Sequence, residues 1–321
     1  MDTSKKFGWG LLSTARINRA ILEAMPLSTR GKVIAVASRT VETAKVFANE
    51  NGLPKWHGSY EALLADPEVD IIYNPLPNHL HAEWTMKALE AGKHVLCEKP
   101  FALTLAEVDA MFDTARRTGR VLTEAFMYRH HPKILKTKEL VDSGAIGTPR
   151  FMRASFSFAL ARAGNYRWEA AFGGGALWDV GCYPVSLARY LFGAPQRVTG
   201  WQRLTPTGVD ETFAGTLFFA DERVAQFDCS FAMPYRTHAE IVGDAGTLTL
   251  TRPFQPEFPE SQMLLRRGDT VETITLDNPN RYWLEIEDMH AAAWGERAPQ
   301  IAAAETRGVV ATILALYETA R

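Results

Sequence analysis

Cysteine is scarce in this sequence, with three residues in 321 positions, at 97, 182 and 229. They are widely spaced and form no Cys-x-x-Cys pair, so the pattern of a zinc site is missing, and an odd number does not suit a disulfide framework. We therefore expect reduced thiols, a cytoplasmic location and no bound metal.

A surplus of charge of either sign is also missing, because 35 basic residues face 37 acidic ones and the net charge is −2. This balance favours neither nucleic acid nor an anionic membrane as a partner. No apolar run approaches the ~20 residues of a membrane helix. The start of the chain, Met1 to Lys6, is short and polar and leads straight into a strand, unlike a signal peptide or a lipidation site.

The first part of the chain alternates apolar runs of strand length with segments of helical periodicity. Strands are predicted at 7–12, 32–38, 70–73, 94–97 and 121–123, and helices at 16–22, 41–51, 59–65, 78–91 and 105–118. Parallel strands need crossover helices, so this alternation predicts an α/β domain of Rossmann type, a doubly wound parallel sheet over residues 1–123.

The rest of the chain, residues 124–321, has a different pattern. Strand-like runs at 150–158, 196–204, 211–219, 224–231, 238–243 and 247–251 follow one another without helices, and helices are predicted at 283–293 and 304–321. This succession predicts an α+β domain with a large, mostly antiparallel open sheet. We expect one face of the sheet to cover helices and the other to pair with a second copy in a homodimer or homotetramer. The C-terminal helix is expected to be able to pack back on the first domain.

The first strand-to-helix turn, Gly10 to Ala15, is where a doubly wound sheet receives a dinucleotide pyrophosphate. Of the Gly-x-Gly-x-x-Gly fingerprint only Gly10 is present, because Leu12 and Ala15 take the other two places. An ordinary tight turn is the alternative, but the position in the domain favours a cofactor site. The predicted cofactor contacts here are Gly10, Leu12, Thr14, Ala15, Arg16 and Ile17.

The end of the second predicted strand distinguishes NADP from NAD. An acidic residue there would bind the ribose hydroxyls, whereas this chain has Ser38-Arg39-Thr40. The planar fork of Arg39 suits a 2′-phosphate, and the hydroxyls of Ser38 and Thr40 add donors. NADP is therefore predicted over NAD.

The segment from Tyr73 to His81 follows the third predicted strand and contains two prolines. We expect it to lie beside the cofactor, with Pro75, Leu76 and Asn78 in contact and Asn78 as the N-cap of the next helix. Two histidines at positions i and i+2 of a helix point apart, so His79 and His81 do not indicate a metal site. One of them is expected to be packed and the other, His81, to lie near the cofactor.

The tripeptide Glu98-Lys99-Pro100 comes directly after an apolar strand. Pro100 fixes the backbone and is expected to start a helix, so the ammonium of Lys99 is held on a rigid base. Taken alone, Lys99 would be an ordinary solvated charge. Glu98 and Lys99 are both predicted to contact the cofactor.

A second polar pair stands on a helix predicted to begin near Ala176, after the glycine run at 173–175. Asp179 and Tyr183 are four residues apart and thus share one side of an otherwise apolar helix. Burying such a pair is costly unless it binds something, although a structural Asp–Tyr hydrogen bond is the alternative. Pro184 breaks the helix bonding just after Tyr183.

Together these segments resemble the Gfo/Idh/MocA oxidoreductases. The resemblance is carried by Glu98-Lys99-Pro100, by the Pro-x-Pro-Asn-x-x-His turn that starts at Pro75, and by residues 173–183, Gly-Gly-Gly-Ala-Leu-Trp-Asp-Val-Gly-Cys-Tyr. The Arg39 turn, residues 124–129 and the tyrosine at 183 are most similar to the subgroup of glucose-fructose oxidoreductase, NADP-dependent D-xylose dehydrogenase and dihydrodiol dehydrogenase.

The resemblance implies hydride transfer between the nicotinamide and a secondary alcohol or hemiacetal carbon of a sugar or polyol. It implies that Tyr183 takes the hydroxyl proton, which a pKa near ~10 would hinder unless a cation lowers it. Lys99 is the expected cation and also binds the reacting oxygen. Asp179 would orient the substrate or Lys99. Because some relatives have histidine in place of Tyr183, the identity of the proton acceptor stays open between Tyr183 and Lys99.

Further contacts are predicted from the second domain. Arg167 is expected at the cofactor, and Arg129 and Trp168 at the substrate. Aromatic residues such as Trp168, Phe158, Tyr166 and Tyr235 suit the floor of a sugar pocket, with core packing as the alternative.

Two other functions are compatible with the same fold. A dinucleotide-sensing regulator would not need Glu98-Lys99-Pro100 or the Asp179 and Tyr183 pair. A glycosidase with tightly held NAD would not suit Arg39 or the tyrosine. The choice among aldose, inositol, ketosugar and aromatic diol as substrate stays open.

Overall fold

The computed structural model describes residues 6–162, 164–255 and 261–321, which form two compact units. Unit 1 comprises Met1–Met127 and Asn280–Thr306, and unit 2 comprises Tyr128–Pro279 and Arg307–Arg321. The polar start of the sequence, Met1 to Lys6, lies outside the described residues except for Lys6.

Unit 1 contains a parallel sheet in the order β3-β2-β1-β4-β5-β6. Its strands are β1 Phe7–Leu12, β2 Gly31–Ala37, β3 Lys55–His57, β4 Ile71–Asn74, β5 His94–Glu98 and β6 Leu122–Ala125. The helices between them are α1 Asn18–Ala24, α2 Val41–Glu50, α3 Tyr60–Leu64, α4 His81–Glu90 and α5 Leu105–Thr118. The predicted doubly wound parallel sheet is confirmed, with one strand more than predicted, since β3 is too short to show a pattern.

A segment from late in the sequence completes unit 1. The prediction assigned all of 124–321 to the second domain, but the structure places Asn280–Thr306 in unit 1. Its helix α8, Arg281–Ala293, buries Ile286 and Met289 in the same core as β1. The ring nitrogen Nε2 of the buried His290 accepts a 2.9 Å hydrogen bond from the indole of Trp9 on β1. Apolar packing and this bond explain why α8 belongs with the parallel sheet.

Unit 2 is built on an eight-stranded sheet in the order β14-β13-β12-β11-β7-β10-β9-β8. The strands are β7 Pro149–Ser157, β8 Arg197–Leu204, β9 Asp210–Phe218, β10 Val224–Ser230, β11 Arg236–Gly243, β12 Thr247–Thr251, β13 Ser261–Arg267 and β14 Thr270–Leu276. Strand β10 pairs with β7 in parallel, and the other pairs are antiparallel. The predicted mostly antiparallel sheet is confirmed.

The helices of unit 2 were only partly predicted. They are α6 Pro132–Asp142, α7 Cys182–Phe192 and α9 Ala303–Thr319, of which the residues from Arg307 onward belong to unit 2. Helix α6 and strands β13 and β14 were not predicted. Strand β14 is mostly exposed, so it lacks the apolar alternation on which such a prediction depends.

The two faces of the sheet in unit 2 differ in character. Side chains such as Met152, Ala154 and Ile241 are buried on one face. On the other face, Arg153 lies across from Gln226 and Glu240, and Trp201 on β8 is 52% exposed. The predicted open sheet therefore has one covered face and one polar face with an exposed tryptophan.

Among the described helices, none is both long and apolar enough to pass through a membrane.

The approach of β2 to His290 gives a first prediction. A Cβ atom on Gly31 would lie 2.4 Å from Nε2 of His290 and 3.0 Å from Nε1 of Trp9, the two atoms that share a hydrogen bond. Gly31→Ala should lower the free energy of unfolding by about 1–3 kcal/mol, measured by urea denaturation. The exposed neighbour on the same strand provides the control, since Lys32→Ala should change stability by less than about 0.5 kcal/mol. Equal stability of the two variants would contradict the prediction.

Candidate active site

The turn between β1 and α1 is shaped by two residues that the sequence did not single out. Ser13 has a φ of 100°, a conformation that favours glycine, and its hydroxyl accepts a 3.2 Å hydrogen bond from the amide of Ala15. The buried Asn18 donates to the carbonyl of Ser13 at 2.7 Å. Helix α1 begins at Asn18, two residues later than predicted, because residues 14–17 belong to this turn.

The one retained glycine of the fingerprint has a packing role. A Cβ on Gly10 would lie 3.0 Å from both Leu63 of α3 and Val69, which is tighter than most real contacts. The absence of a side chain at Gly10 therefore lets α3 approach β1. The other predicted residues of the turn, Leu12, Thr14, Ala15, Arg16 and Ile17, lie at the carboxyl end of β1 or directly after it, where a doubly wound sheet binds its ligand.

At the end of β2, Arg39 is exposed and Ser38 is buried. Burial raises the pKa of the nearby Tyr60, and the positive charge of Arg39 opposes that rise. The ring of Tyr60 meets that of Trp84 edge to face, with 4.9 Å between centroids. Thr40 does not offer a free hydroxyl, because its O–H donates to the hydroxyl of Thr43 at 2.9 Å and its oxygen accepts from the amide of Thr43, which caps α2. An exposed guanidinium near an aromatic pair remains available for an anionic ligand.

The loop after β4 is held by two buried polar side chains. Asn74 donates to the carbonyl of His81 at 3.2 Å and to the hydroxyl of Thr85 at 3.0 Å. The ring nitrogens of His81 lie 2.8 Å from the carbonyl oxygen of Pro100 and 2.7 Å from that of Leu76. Burial lowers the pKa of His81 to about 4. The His81 ring, 1% exposed, thus joins two loops, and direct cofactor contact from it stays a prediction.

Asn78 does not cap the following helix as predicted. It is the first residue of a short 3₁₀ turn, Asn78–Leu80, whose N-cap position is Pro77. Helix α4 then begins at His81, three residues later than predicted. The ring of Pro77 fixes the backbone angle at the start of this turn and provides no side-chain acceptor, so the turn begins without a side-chain cap.

Glu98 and Lys99 lie at the carboxyl end of β5, as the motif predicts. The hydroxyl of Tyr73 donates to Oε1 of Glu98 at 2.5 Å, and the amide of Lys99 donates to Oε2 at 3.2 Å. Glu98 is therefore anchored by its neighbours on β4 and β5, while the side chain of Lys99 is half-buried. Pro100 does not start a helix. Helix α5 begins at Leu105, after a capping box formed by Thr104 and Glu107.

A buried acid that no motif indicated belongs to the same region of unit 1. Glu285 on α8 is 2% exposed, and among the described residues neither of its carboxyl oxygens has a hydrogen-bond partner. Burial raises its pKa well above the ordinary value, and the negative charges of Glu98 and Asp288 add to the rise. Burial therefore favours the neutral carboxylic acid form of Glu285.

In unit 2, the glycine run brings Arg167 beside Asp179. The amide of Gly174 donates to the carbonyl of Glu169 at 3.1 Å, and that of Gly175 donates to the carbonyl of Arg167 at 3.0 Å. A Cβ on Gly174 would lie 2.5 Å from the carbonyl oxygen of Arg167, so only glycine fits. The guanidinium of Arg167 then lies 3.1 Å from the carboxylate of Asp179. Asp179 is thus a buried, paired carboxylate.

The helix that carries Asp179 and Tyr183 is not α-helical throughout. Residues Leu177–Gly181 form a π-helical segment that passes directly into α7. Pro184 lacks the amide hydrogen that would bind the carbonyl of Val180, which explains the irregular bonding before it. Pro184 was the one sequence signal of this feature. The predicted four-residue separation of Asp179 and Tyr183 therefore spans the junction of two helix types.

The ring of Tyr183 is fixed by aromatic neighbours in unit 2. Its centroid lies 5.2 Å from that of Phe156 and 5.5 Å from those of Tyr128 and Phe254. Tyr183 is 4% exposed. Tyr128 is itself held by a 2.9 Å hydrogen bond to Ser186 on the same helix. Tyr183 therefore has little rotational freedom, as a catalytic group requires.

The predicted substrate contacts in unit 2 have different surroundings. Arg129 is buried with its guanidinium 3.6 Å from the centroid of Tyr190, a cation–π contact. The indole of Trp168 donates to the carbonyl of Ala161 at 3.2 Å and packs against Phe231. Trp168 is a core residue here, and its contact with a substrate stays a prediction. Phe158 and Tyr166 are partly buried, whereas Tyr235 is exposed.

Within residues 6–162, 164–255 and 261–321, no three or more His, Cys, Asp or Glu side chains come together to hold a metal ion.

Comparison with known families agrees with this arrangement. Residues 7–126 match the oxidoreductase family with an NAD-binding Rossmann fold, and residues 134–249 match the GFO/IDH/MocA C-terminal domain. The chain belongs to the GFO/IDH/MocA oxidoreductase family. The predicted family and the predicted enzyme class are confirmed.

Individual relatives cover most or nearly all of the chain. D-xylose 1-dehydrogenase (NADP(+)) 2 from Haloferax volcanii is 37% identical over 318 residues, 97% of each chain. The trans-1,2-dihydrobenzene-1,2-diol dehydrogenase of Xenopus tropicalis is 34% identical over 75% of this chain and 74% of its own. Among solved structures, a 3-ketoreductase from Actinomadura kijaniata in complex with NADP and TDP-benzene has a TM-score of 0.93 at 31% identity, covering 99% of this chain and 98% of that one.

The neutral state of Glu285 leads to a prediction about pH. In the folded protein its pKa lies well above the ordinary 4.5, so the folded state keeps a proton that the unfolded state releases as the pH rises past 4.5. Stability therefore falls with rising pH, and Glu285→Gln, which keeps the shape but does not titrate, should escape this loss. The stability advantage of the variant over the parent should grow from about pH 5 to about pH 8, measured by urea denaturation at several pH values.

Glu61→Gln, which removes an exposed carboxylate from α3, serves as the matched control. A stability difference for Glu285→Gln that stays constant across this range would contradict the assignment of a neutral acid.

Proposed function

We propose that this protein is an NADP-dependent sugar or polyol oxidoreductase that moves a hydride between the nicotinamide and a secondary alcohol or hemiacetal carbon. The observation that carries the proposal is the match with a NADP-dependent D-xylose dehydrogenase over 97% of both chains. Glu98, Lys99, Asp179 and Tyr183 are all present and ordered, which a sensor without catalysis would not require.

The residues of unit 1 fit a dinucleotide phosphate. The turn after β1 lies at the carboxyl end of the sheet, where a doubly wound fold binds its dinucleotide, and the segment Ser38-Arg39-Thr40 at the end of β2 contains no acid that would repel a 2′-phosphate. We assign cofactor binding to Gly10, Leu12, Thr14, Ala15, Arg16, Ile17, Ser38, Arg39, Pro75, Leu76, Asn78, Glu98 and Lys99, with His81 supporting the loops. When bound, the nicotinamide supplies or accepts the hydride.

The side chains of this chain handle the proton. Tyr183, fixed by its aromatic neighbours, takes the proton of the substrate hydroxyl during oxidation and returns it during reduction. Lys99 provides the positive charge that favours tyrosinate and stabilises the developing charge on the reacting oxygen. Glu98, anchored by Tyr73, keeps the start of the Lys99 segment in place.

Asp179 and Arg167 act as a pair. Their opposite charges lie 3.1 Å apart, so the guanidinium offsets the cost of burying the carboxylate. In this pair Asp179 orients the substrate. Arg167 holds Asp179 in place, in addition to its predicted contact with the cofactor. Arg129, stacked on Tyr190, is the second arginine proposed for the substrate.

The class of substrate follows from the relatives. One of them is named for D-xylose, another for an aromatic diol, and the solved ketoreductase was crystallised with TDP-benzene. D-xylose and the 1,2-diol both have neighbouring carbons that each carry a hydroxyl group. We therefore propose that the substrate is a small sugar, polyol or diol in the cytoplasm. The three cysteines are buried thiols, in agreement with a reducing compartment.

Replacing the two proposed groups tests the chemistry. Lys99→Ala and Tyr183→Phe should each lower kcat by about 10²- to 10⁴-fold, because a proton-transfer group or its cation is lost. The dissociation constant for NADPH should change little for Tyr183→Phe. Turnover is followed by the absorbance of reduced nicotinamide with a panel of sugars, polyols and diols, and cofactor affinity by fluorescence titration.

Matched controls are Lys87→Ala, an exposed lysine on α4, and Tyr190→Phe, which keeps the ring beneath Arg129. Near-normal turnover of Lys99→Ala would refute its role. Cofactor binding without turnover of any compound would favour the sensor. Release of a sugar without net reduction would favour the glycosidase.

We further propose that the open face of the sheet in unit 2 pairs with a second copy of this chain. Trp201 on β8 and Leu264 on β13 are exposed there, 52% and 38%. Exposed apolar side chains on a wide sheet suit a homodimer or homotetramer interface.

Trp201→Glu with Leu264→Glu should convert the oligomer to a monomer in light-scattering measurements. Leu135→Glu, an exposed leucine on α6, should leave the mass unchanged, and an unchanged mass for the double variant would contradict the interface.

A further inference from the structure

A buried aspartate in unit 2 holds the start of the helix that carries Asp179 and Tyr183. Asp210, the first residue of β9, is 1% exposed. Its Oδ2 accepts a 2.7 Å hydrogen bond from the amide of Leu177, the first residue of the π-helical segment. No side chain of the segment's own N-cap residue, Ala176, does this. The first helical amide is therefore satisfied by a carboxylate from a different part of the chain.

The second oxygen of the same carboxylate is bound by the C-terminal helix. The hydroxyl of Tyr317 on α9 donates to Oδ1 of Asp210 at 2.7 Å. The ring of Tyr317 also lies 6.0 Å from that of Trp178 and 5.7 Å from that of Phe213, measured between centroids. Tyr317 thus fixes which oxygen of Asp210 faces the helix start.

The last glycine of the run makes room for this carboxylate. Gly175 has a φ of +121°, and a Cβ there would lie 2.2 Å from Oδ1 of Asp210 and 3.0 Å from the hydroxyl of Tyr317. Only glycine allows both the backbone conformation and the approach. Burial raises the pKa of Asp210 to about 6, while Tyr317 and the amides of Leu177 and Ala176 oppose the rise. Above that pH the bonds to Asp210 are charge-assisted.

We propose that Asp210 is a positioning residue for hydride transfer, because its carboxylate, oriented by Tyr317, fixes the start of the π-helical segment and so places Asp179 and Tyr183. This inference rests on the proposed function of those two residues. Asp210 itself does not act on the substrate. Its effect passes through Leu177, which precedes Asp179 by two residues and Tyr183 by six.

The test compares Asp210→Ala, Asp210→Asn and Tyr317→Phe. Asp210→Ala should lower kcat by about a hundredfold through misplacement of the catalytic groups, with the NADPH dissociation constant unchanged. Asp210→Asn should recover most of kcat, because its carbonyl oxygen can still accept from Leu177 and its amide can meet the hydroxyl of Tyr317. Tyr317→Phe should lower kcat by about tenfold, since it removes one bond of the pair.

Two further measurements separate positioning from a general loss of stability. Amide hydrogen exchange at Leu177 should be at least about tenfold faster in Asp210→Ala, whereas exchange in unit 1 should not change. In the Tyr183→Phe background, Asp210→Ala should lower kcat by clearly less than the hundredfold expected in the parent, since only Asp179 is left to be positioned. Ile241→Val, a core change in the same sheet, controls for stability and should leave both readouts unchanged.

A loss of kcat that multiplies independently in the Tyr183→Phe background would overturn the proposal, as would unchanged exchange at Leu177. Full turnover of Tyr183→Phe alone would instead refute the proposed role of the tyrosine. The exchange rate at Leu177 would then still decide whether Asp210 fixes the segment.

Discussion

The approach of bare backbone to backbone at Gly174 and Gly175 is the constraint on which the substrate half of this protein depends. The amides of these residues bind the carbonyls of Arg167 and Glu169, and no side chain fits between them. Two consequences follow from one turn. The guanidinium of Arg167 comes to lie beside Asp179. The chain also enters the π-helical segment so that the amide of Leu177 donates to the carboxylate of Asp210. Sequence order alone places none of these groups together.

Three buried carboxyl groups show three ways to bear the cost of burial. Asp179 is paired with a cation, Asp210 is bound by amides and a hydroxyl, and Glu285 is kept neutral. The choice follows from the available partners, because a carboxylate with a guanidinium can stay ionised, whereas one among other acids takes up a proton. Burial therefore penalises the charge of Glu285, whereas Asp179 and Asp210 each have partners that offset the cost.

The sequence was sufficient to predict what depends on local pattern. The parallel sheet, the open antiparallel sheet and the positions of Glu98, Lys99 and Asp179 follow from periodicity and short motifs, and the family and fold were predicted correctly. Strand β3 was missed because it has only three residues, and strand β14 because its residues are mostly exposed. Contacts over long sequence separation, such as those of Asp210 with Leu177 and Tyr317, leave no local pattern at all.

Helix α8 was predicted to belong to the second domain, whereas it belongs to unit 1, and the reason is the same. Its apolar face indicates burial, but nothing in residues 281–293 says which sheet will cover it. The bond between Trp9 and His290 joins positions 281 residues apart. Likewise, the positive φ in the turn after β1 falls on Ser13, which is not one of the glycine places of the fingerprint, and Asn18 donates a hydrogen bond to its carbonyl.

The late position of α8 also bears on how the protein is made. Unit 1 begins at the start of the chain, yet its core includes Ile286 and Met289, which leave the ribosome only after nearly all of unit 2. During synthesis this core is therefore incomplete until α8 has emerged, by which time all eight described strands of unit 2 have been made. Because the chain returns to unit 1 only at Asn280, the first unit to emerge is completed after the strands of the second.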